Sequence, residues 1–212
     1  MVMEIKHIWF DFSDTIAHTN PEIHDKLKYE AYANVIGQPV DAKLRREFDE
    51  LYEEHHHSIS DIFFTLGKPA GWWAEQMATQ DPTELFELME SDIPEVLQAI
   101  KRIVPISMFS NIMLNKALPA LGIDPDWFEY MLSSKMAGRP KPALDGFYKI
   151  VELSRLKPNE ILYVGDVVKK DILPAKAVGL RTGIIYRRSD EADYSFDSFE
   201  DVLKLLKGRP QP

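Results

Sequence analysis

Short apolar segments that end beside polar side chains are the feature that most restricts the fold of this sequence. Five segments are apolar and rich in aromatic or β-branched residues, as buried strands are. They span residues 5–12, 104–109, 130–133, 161–164 and 182–186. Helical patterns lie between the later strands, at residues 113–121, 144–154 and 171–178. The alternation from residue 94 onward predicts an α/β fold, a parallel sheet with helices on both faces.

Three of the predicted strands end in residues that can bind ligands or carry out chemistry. These residues are Asp11, Ser110 with Asn111, and Gly165 with Asp166. Ligands of parallel α/β sheets bind beyond the carboxyl ends of the strands, at one edge of the sheet. We therefore expect the functional site at this edge.

Residues 17–92 interrupt the alternation of strand and helix. Their patterns are mostly helical and cover residues 21–35, 41–57, 70–80 and 82–89. Pro21 and Pro82 suit the first turns of two of these helices, where a missing N–H costs no hydrogen bond. The sequence thus predicts a core of residues 1–16 and 93–212, with an inserted helical cap of residues 17–92.

Amino-acid composition limits the kinds of fold, site and location that this chain can have. The chain has 212 residues, 45% of them hydrophobic, which is enough for one core or a core with a smaller satellite. It has no cysteine, so disulfides, thiolate zinc sites and a cysteine nucleophile are excluded. A net charge of −9 disfavours general binding to nucleic acid or anionic membrane. No segment approaches the ~20 apolar residues of a membrane helix, and charges interrupt the apolar N-terminus, so we expect a cytoplasmic protein.

The segment GDVVKKD at residues 165–171 adds a third carboxylate, Asp171, to Asp11 and Asp166. Three carboxylates at neighbouring strand ends repel one another, and a bound cation is the economical way to hold them ionised together. Oxygen ligands without cysteine or a nearby histidine favour magnesium over zinc. Asp171 also suits a helix N-cap, and Gly165 allows close backbone approach.

Two further sites have polar groups suited to phosphate. Ser110 and Asn111 offer a hydroxyl, an amide and backbone N–H groups before a helix, although such a pair is commonly a simple cap. Lys141 lies between Pro140 and Pro142, and this stiff segment can aim its ammonium, although loop lysines are commonly just solvated.

Together, in order and over nearly the whole chain, these motifs resemble those of the haloacid dehalogenase superfamily. The matching residues are DFSDT at 11–15, then Ser110, then Ser134, Gly138, Lys141 and Pro142, then Gly165, Asp166 and Asp171. The resemblance implies a Rossmann-like parallel-sheet core with a helical cap inserted after the first motif. It also implies a magnesium-dependent hydrolase, phosphatase-like, that acts on a small phosphorylated substrate.

The resemblance assigns a role to each matching residue. Asp11 would attack phosphorus and form an aspartyl phosphate, which water then hydrolyses. The implied Mg²⁺ ligands are Asp11, the main-chain carbonyl of Ser13, Asp166 and, directly or indirectly, Asp171. The implied phosphate-binding residues are Ser110, Asn111 and Lys141. We expect a monomer or homodimer that binds neither nucleic acid nor membrane.

Ser13 departs from the family pattern. Phosphatases of the family have an aspartate there that protonates the leaving group, and serine cannot replace a carboxylic acid. Such acid and base groups contribute ~10²–10⁴ in rate, so we expect impaired rather than abolished turnover. Asp14 is the alternative carboxylate.

Three alternatives follow from this departure. The first is a phosphate-binding or regulatory protein without turnover, the second is a dehalogenase-like hydrolase and the third is a phosphonatase-like hydrolase. Dehalogenases lack the fourth motif, so the retained Asp166 and Asp171 argue against that reading. Phosphonatases use a cap lysine; Lys43 is a candidate, but its helix reads as a solvated charged face.

Two conspicuous runs in the cap have simpler explanations. His55, His56 and His57 face different directions if they are helical, so we expect no metal site there. Trp72 and Trp73 can line the pocket, but one of two adjacent tryptophans commonly packs in the core.

Overall fold

The computed structural model describes residues 4–208 and contains a six-stranded parallel sheet. The strands in chain order are β1 (His7–Phe10), β2 (Ala17–Thr19), β3 (Phe86–Leu88), β4 (Ile106–Ser110), β5 (Met131–Ser133), β6 (Ile161–Gly165), β7 (Arg181–Ile185) and β8 (Tyr194–Phe196). The sheet order is β5-β4-β1-β6-β7-β8, and every neighbouring pair is parallel. The predicted α/β class and all five predicted strands are confirmed, each within a few residues of its predicted bounds.

β1 lies in the middle of the sheet, and every one of its residues is buried. Ile8 pairs with Ile106 of β4 on one side and with Leu162 of β6 on the other. A parallel strand covered on both faces by helices must be apolar throughout, which explains the unbroken apolar run in the sequence. Asp11 directly follows β1, and its N–H donates to the Val164 carbonyl at 2.8 Å. Its carboxylate is therefore delivered to the carboxyl edge of the sheet.

The helices of residues 4–208 are α1 (Pro21–Ile36), α2 (Ala42–Glu54), α3 (Ile59–Thr65), α4 (Trp72–Met77), α5 (Pro82–Leu85), α6 (Ile93–Lys101), α7 (Ala117–Ala120), α8 (Ser134–Ala137), α9 (Asp145–Ser154), α10 (Leu173–Ala177) and α11 (Phe199–Leu206). Short 3₁₀ turns occur at Pro125–Trp127 and Pro158–Glu160, and a π-helical turn at Val168–Ile172. Of these helices, none is long and apolar enough to cross a membrane.

Helices α1 to α5 follow one another between β2 and β3, which pair antiparallel with Ala17 opposite Leu88. Pro21 and Pro82 stand at the starts of α1 and α5, as predicted. The rings of Phe48 and Trp73 both pack against Phe63. We propose that residues 17–92 are the cap, because β2 and β3 form a two-stranded connection at the two ends of this helical block.

Several predicted helices are shorter in the structure, and for two of them the cause is clear. The pattern at residues 82–89 is helical only to Leu85, because Phe86–Leu88 pairs with β2 instead. The pattern at residues 113–121 is helical only at Ala117–Ala120. Pro119 lies inside this segment and lacks an N–H, so it cannot support a longer helix before it.

Candidate active site

Three buried carboxylates meet at the carboxyl edge of the sheet. Asp11 follows β1, Asp166 follows β6, and Asp171 lies in the π-helical turn Val168–Ile172. One oxygen of each lies within 4.8 Å of the others, and the side chains are nearly inaccessible to solvent. The sequence prediction that the three aspartates converge is confirmed, and we refer to Asp11, Asp166 and Asp171 as the acidic triad.

Gly165 makes the position of Asp171 possible. A Cβ on Gly165 would lie 2.7 Å from the Cβ of Asp171, closer than side-chain atoms approach each other. The close approach predicted at this glycine is therefore made by the Asp171 side chain. The alternative of Asp171 as a helix N-cap is wrong: α10 begins at Leu173, and Asp171 Oδ2 accepts from the Val167 N–H at 3.2 Å within the π-helical turn. The wider π turn places this carboxylate inward, over the strand end.

Lys141 lies inside the site, with its side chain 1% exposed. Its ammonium contacts Asp11 Oδ1 at 2.8 Å, Asp171 Oδ1 at 2.7 Å and the Tyr163 hydroxyl at 2.9 Å. These contacts engage the three donors of the ammonium. This position is consistent with the expectation that the flanking prolines direct Lys141. Its ammonium binds the carboxylates of Asp11 and Asp171 and does not project into the pocket.

Tyr163 on β6 supports the same carboxylate. Its hydroxyl donates to Asp171 Oδ1 at 3.2 Å, while burial raises its pKa well above the usual value and keeps it protonated. Tyr163 was not predicted as a site residue, although a tyrosine in a buried apolar strand needs a polar partner and so indicates a polar site nearby.

Lys170 supplies a second ammonium to the acidic triad. Its Nζ lies 3.6 Å from Asp11 Oδ2, 3.8 Å from Asp166 Oδ1 and 3.9 Å from Asp171 Oδ2. Lys170 was not predicted as a site residue from the sequence, although its spacing of four residues from Asp166 suits an ion pair within one turn. Arg187 at the rim lies 3.7 Å from Asp166 Oδ2 and is likewise unpredicted.

Burial and charge shift the carboxyl pKa values in different directions. Burial raises the pKa of Asp11, with the neighbouring Asp171 acting in the same sense. Burial also raises the pKa of Asp166 to about 7. Burial would raise the pKa of Asp171 too, but the ammonium groups of Lys141 and Lys170 outweigh it and lower that pKa. The charge of Asp171 is thus the best compensated of the three.

Ser110 makes a local hydrogen bond, whereas Asn111 is bonded to residues that are distant in the sequence. Ser110 is buried at the end of β4, and its Oγ accepts from the Ile112 N–H at 3.2 Å. The Asn111 side chain is bonded to the backbone of Lys141 and donates to Ser58 Oγ at 3.1 Å. Its amide is thus occupied in positioning Lys141. Binding of phosphate by Ser110 and Asn111 stays a prediction.

A cavity of about 170 Å³ opens beside the acidic triad, between core and cap residues. Ser13, Asp14, Asp166, Lys170 and Arg187 line it from the core. Ser13 and Asp14 are in the first motif, so the departure from the family pattern faces this cavity.

The cap lines the opposite side of the cavity with polar and aromatic groups, including His24, Tyr52, His57 and Trp73. Burial lowers the pKa of His24 to about 4, so its ring is neutral at neutral pH. Trp73 is also buried in the hydrophobic core, so this residue both lines the pocket and packs in the core.

The histidine run has carboxylate partners instead of forming a metal cluster. His55 Nδ1 lies 2.6 Å from Asp61 Oδ2, and His57 Nε2 lies 3.0 Å from Glu53 Oε2. Within residues 4–208, the acidic triad is the cluster that could hold a metal ion.

A parallel sheet with acidic and basic side chains at its carboxyl edge, beside a small cavity, is the architecture of an α/β enzyme. Residues 5–179 match the family model of the haloacid dehalogenase-like hydrolases, and the chain belongs to that family. It is therefore a hydrolase, as the sequence motifs implied.

Individual relatives cover nearly the whole chain. The chain is 27% identical to glyceraldehyde 3-phosphate phosphatase of Pyrococcus furiosus, covering 94% of this chain and 88% of that protein. It is 25% identical to glyceraldehyde 3-phosphate phosphatase of Methanocaldococcus jannaschii, covering 96% and 97%. Among solved structures, a HAD phosphatase from Thermococcus onnurineus matches with a TM-score of 0.72 and 22% identity, covering 96% of this chain and 99% of that one. This structural match shows the fold.

Proposed function

We propose that this hydrolase is a magnesium-dependent phosphatase of small phosphorylated metabolites and that Asp11 is its nucleophile. The observation that carries the proposal is the unequal environment of the two Asp11 oxygens. Oδ1 is held by the Lys141 ammonium and accepts from the Phe12 N–H at 2.7 Å. Among residues 4–208, Oδ2 has no hydrogen-bond partner. One oxygen is therefore fixed while the other keeps its lone pairs for attack.

The proposed reaction has two steps. Asp11 Oδ2 attacks phosphorus, the bond from phosphorus to the ester oxygen breaks, and the ester oxygen leaves with the bonding electron pair and takes up a proton from solvent or from the Asp14 carboxyl. Water then hydrolyses the aspartyl phosphate, which releases inorganic phosphate and restores the Asp11 carboxylate. Lys141 orients Asp11 and compensates its charge in both steps.

The acidic triad fits a magnesium ion. Its donors are carboxylate oxygens, which Mg²⁺ prefers, and one of them, Asp166 Oδ1, is buried without a hydrogen-bond partner in the part of the chain that the structure describes. Asp11, Asp166, Asp171 and the main-chain carbonyl of Ser13 would hold the ion. When bound, Mg²⁺ supplies positive charge that offsets the repulsion between Asp11 and a phosphate group.

The cavity supports a small anionic substrate. Its volume of about 170 Å³ is below the ~300–1,000 Å³ of sites for drug-sized ligands. Lys170 and Arg187 on its wall favour an anion despite the negative net charge of the chain. The two glyceraldehyde 3-phosphate phosphatases among the relatives suggest that a short phosphorylated sugar or acid is the substrate class.

Protonation of the leaving group needs a donor other than Ser13. His24 lines the cavity, but its low pKa leaves it neutral at neutral pH, so it is a poor acid. Asp14 lines the cavity with a left-handed backbone, φ 55°, and is the carboxyl candidate nearest to Ser13 in the chain. We propose slow turnover of alkyl phosphates and faster turnover of substrates whose leaving groups need no proton.

Lys43 gives no support to the phosphonatase alternative. Its side chain is 71% exposed and pairs with Glu47 at 3.4 Å on the surface of α2. A lysine that forms a Schiff base must face the reacting carbon, whereas Lys43 points to solvent.

A panel of phosphorylated metabolites, including glyceraldehyde 3-phosphate, and an aryl phosphate would test the proposal with and without Mg²⁺. We expect Mg²⁺-dependent phosphate release from the aryl phosphate and from at least one small metabolite, and none with Asp11→Asn. A folded, Mg²⁺-binding protein that releases no phosphate from any of them would favour the phosphate-binding or regulatory alternative.

A further inference from the structure

Lys170 is placed within the acidic triad in the manner of a bound cation. Its Nζ lies at nearly equal distances, 3.6, 3.8 and 3.9 Å, from one oxygen of each aspartate. Two of these oxygens, Asp11 Oδ2 and Asp166 Oδ1, are the buried ones without hydrogen-bond partners in residues 4–208. The ammonium thus faces both Asp166 Oδ1, a proposed metal donor, and Asp11 Oδ2, the proposed nucleophilic oxygen.

Charge explains why the site attracts this ammonium. Three carboxylates are gathered in a buried site, and Lys141 is hydrogen-bonded to two of them, Asp11 and Asp171. Lys170 adds a second positive charge near all three carboxylates, including Asp166. Arg187 approaches Asp166 from the rim and is 54% exposed, so solvent screens its charge.

Lys170 also lies between the cavity and the nucleophile. Lys170 and Asp166 line the cavity, whereas Asp11 and Asp171 do not. Asp11 Oδ2 is buried. A substrate phosphate that enters from the cavity therefore meets the Lys170 ammonium before it reaches Asp11.

A magnesium ion and the Lys170 ammonium cannot occupy this position together. Mg²⁺ binds oxygen at ~2.0–2.1 Å, and a monovalent and a divalent cation on the same oxygens would repel strongly in a buried site. The lysine stem is flexible, so the ammonium can move toward the cavity that it already lines.

We propose that Lys170 is a tethered counter-cation that closes the metal-free site and competes with Mg²⁺ for the acidic triad. The Lys170 ammonium would move into the cavity when Mg²⁺ binds, which would uncover Asp11 and leave the ammonium facing the incoming phosphate. This inference rests on the proposed magnesium site and goes beyond it, because it makes metal binding the step that opens the nucleophile.

The test is Mg²⁺ binding to Lys170→Met, measured by calorimetry and by the melting temperature of chelator-treated protein. Lys169→Met is the control for the substitution itself, because Lys169 is the exposed neighbour. Arg187→Met is the control for charge, because it removes a cation from near Asp166 without emptying the centre of the triad.

We expect Lys170→Met to bind Mg²⁺ at least about tenfold more tightly than the wild type, because the competing charge is gone. Its metal-free melting temperature should fall, and Mg²⁺ should raise it by more than in the wild type. Lys169→Met should match the wild type, and Arg187→Met should shift the affinity by no more than about threefold, since its charge is solvated.

Equal Mg²⁺ affinity in wild type, Arg187→Met and Lys170→Met would overturn the role of Lys170 and leave the magnesium site standing. Absence of Mg²⁺ binding in all of them would overturn the magnesium site itself, and the competition with it. If Lys170→Met folds only with Mg²⁺ present while the wild type folds without it, the counter-cation role is supported. If it fails to fold in both conditions, Lys170→Gln, which keeps a polar side chain, is measured against the same expectations.

Discussion

The side-chain amide of Asn111 forms hydrogen bonds with both the backbone N–H and the backbone carbonyl of Lys141. Asn111 Oδ1 accepts from the Lys141 N–H at 2.8 Å, and Asn111 Nδ2 donates to the Lys141 carbonyl at 3.2 Å. Ser58 of the cap donates to the same carbonyl at 2.7 Å. The end of β4 and the cap therefore both fix the residue whose ammonium holds Asp11.

Asn111→Ala should lower kcat by about 10²-fold, because a displaced Lys141 no longer aligns Asp11. The free energy of unfolding should fall by about 1–3 kcal/mol for the lost hydrogen bonds. Asn111→Asp keeps the acceptor for the Lys141 N–H, so its kcat and its free energy of unfolding should lie between those of the wild type and those of Asn111→Ala. Steady-state kinetics and urea unfolding would show this, with Ser60→Ala as a control that removes a weak 3.4 Å contact to the Asn111 carbonyl. Wild-type kinetics in Asn111→Ala would exclude the positioning role.

Asp11→Asn should abolish turnover in a folded protein, since the amide has nearly the same shape but is not a nucleophile. Mass spectrometry after rapid quenching should detect a phosphorylated Asp11 in the wild type. Asp14→Asn, which changes the other carboxylate of the same motif, should lower turnover by less, because Asp14 is not the proposed nucleophile. An active Asp11→Asn together with an inactive Asp14→Asn would show that the nucleophile is misassigned.

Aryl and acyl phosphates should react faster than alkyl phosphates, because Ser13 cannot protonate a poor leaving group. Ser13→Asp should raise turnover of alkyl phosphates by about 10²-fold or more if the added carboxyl reaches the leaving oxygen. Ser13→Asn is the control of similar size. Rates that do not depend on the leaving group, with chemistry shown to be limiting, would contradict this account.

Asp166→Asn should raise the Mg²⁺ concentration needed for half-maximal activity by at least about tenfold, because it removes one ligand charge. The fold should persist, since the residue lies at the end of β6 and the change is nearly isosteric. Activity titrated with Mg²⁺, with the surface variant Asp197→Asn as a control, would measure the effect. An unchanged titration would remove Asp166 from the set of ligands.

His24 should make the protein sensitive to acid. Its folded-state pKa of about 4 lies below the ordinary value of 6.5, because burial disfavours the charged ring. The stabilising contribution is therefore complete above pH 6.5 and is lost as the pH falls from 6.5 toward 4, by up to about 3 kcal/mol. His24→Phe keeps an aromatic ring beside Trp73 and should lose less stability over this range.

Urea unfolding at several pH values would measure this difference. His18→Phe is the control, because His18 is partly exposed and pairs with Glu87 at the surface. If the wild type and His24→Phe lose the same stability between pH 6.5 and 4, the buried His24 ring is not the source of the acid sensitivity.

The sequence by itself determined the parallel sheet and the convergence of Asp11, Asp166 and Asp171. Strand periodicity is a local property, and residues that directly follow parallel strands must meet at one edge. It also indicated the family, because the motifs are short and occur in order.

Tertiary structure decided which charges compensate the acidic triad. The ammonium of Lys141 reaches Asp171 across 30 residues of sequence, and no local pattern fixes that distance. It also decided that Phe86–Leu88 is a strand, since pairing with Ala17–Thr19 supplies hydrogen bonds that a helical pattern cannot anticipate. The position of Lys170 depends in the same way on three carboxylates that come together only when the sheet has formed, because attraction between charges follows distance in space rather than in sequence.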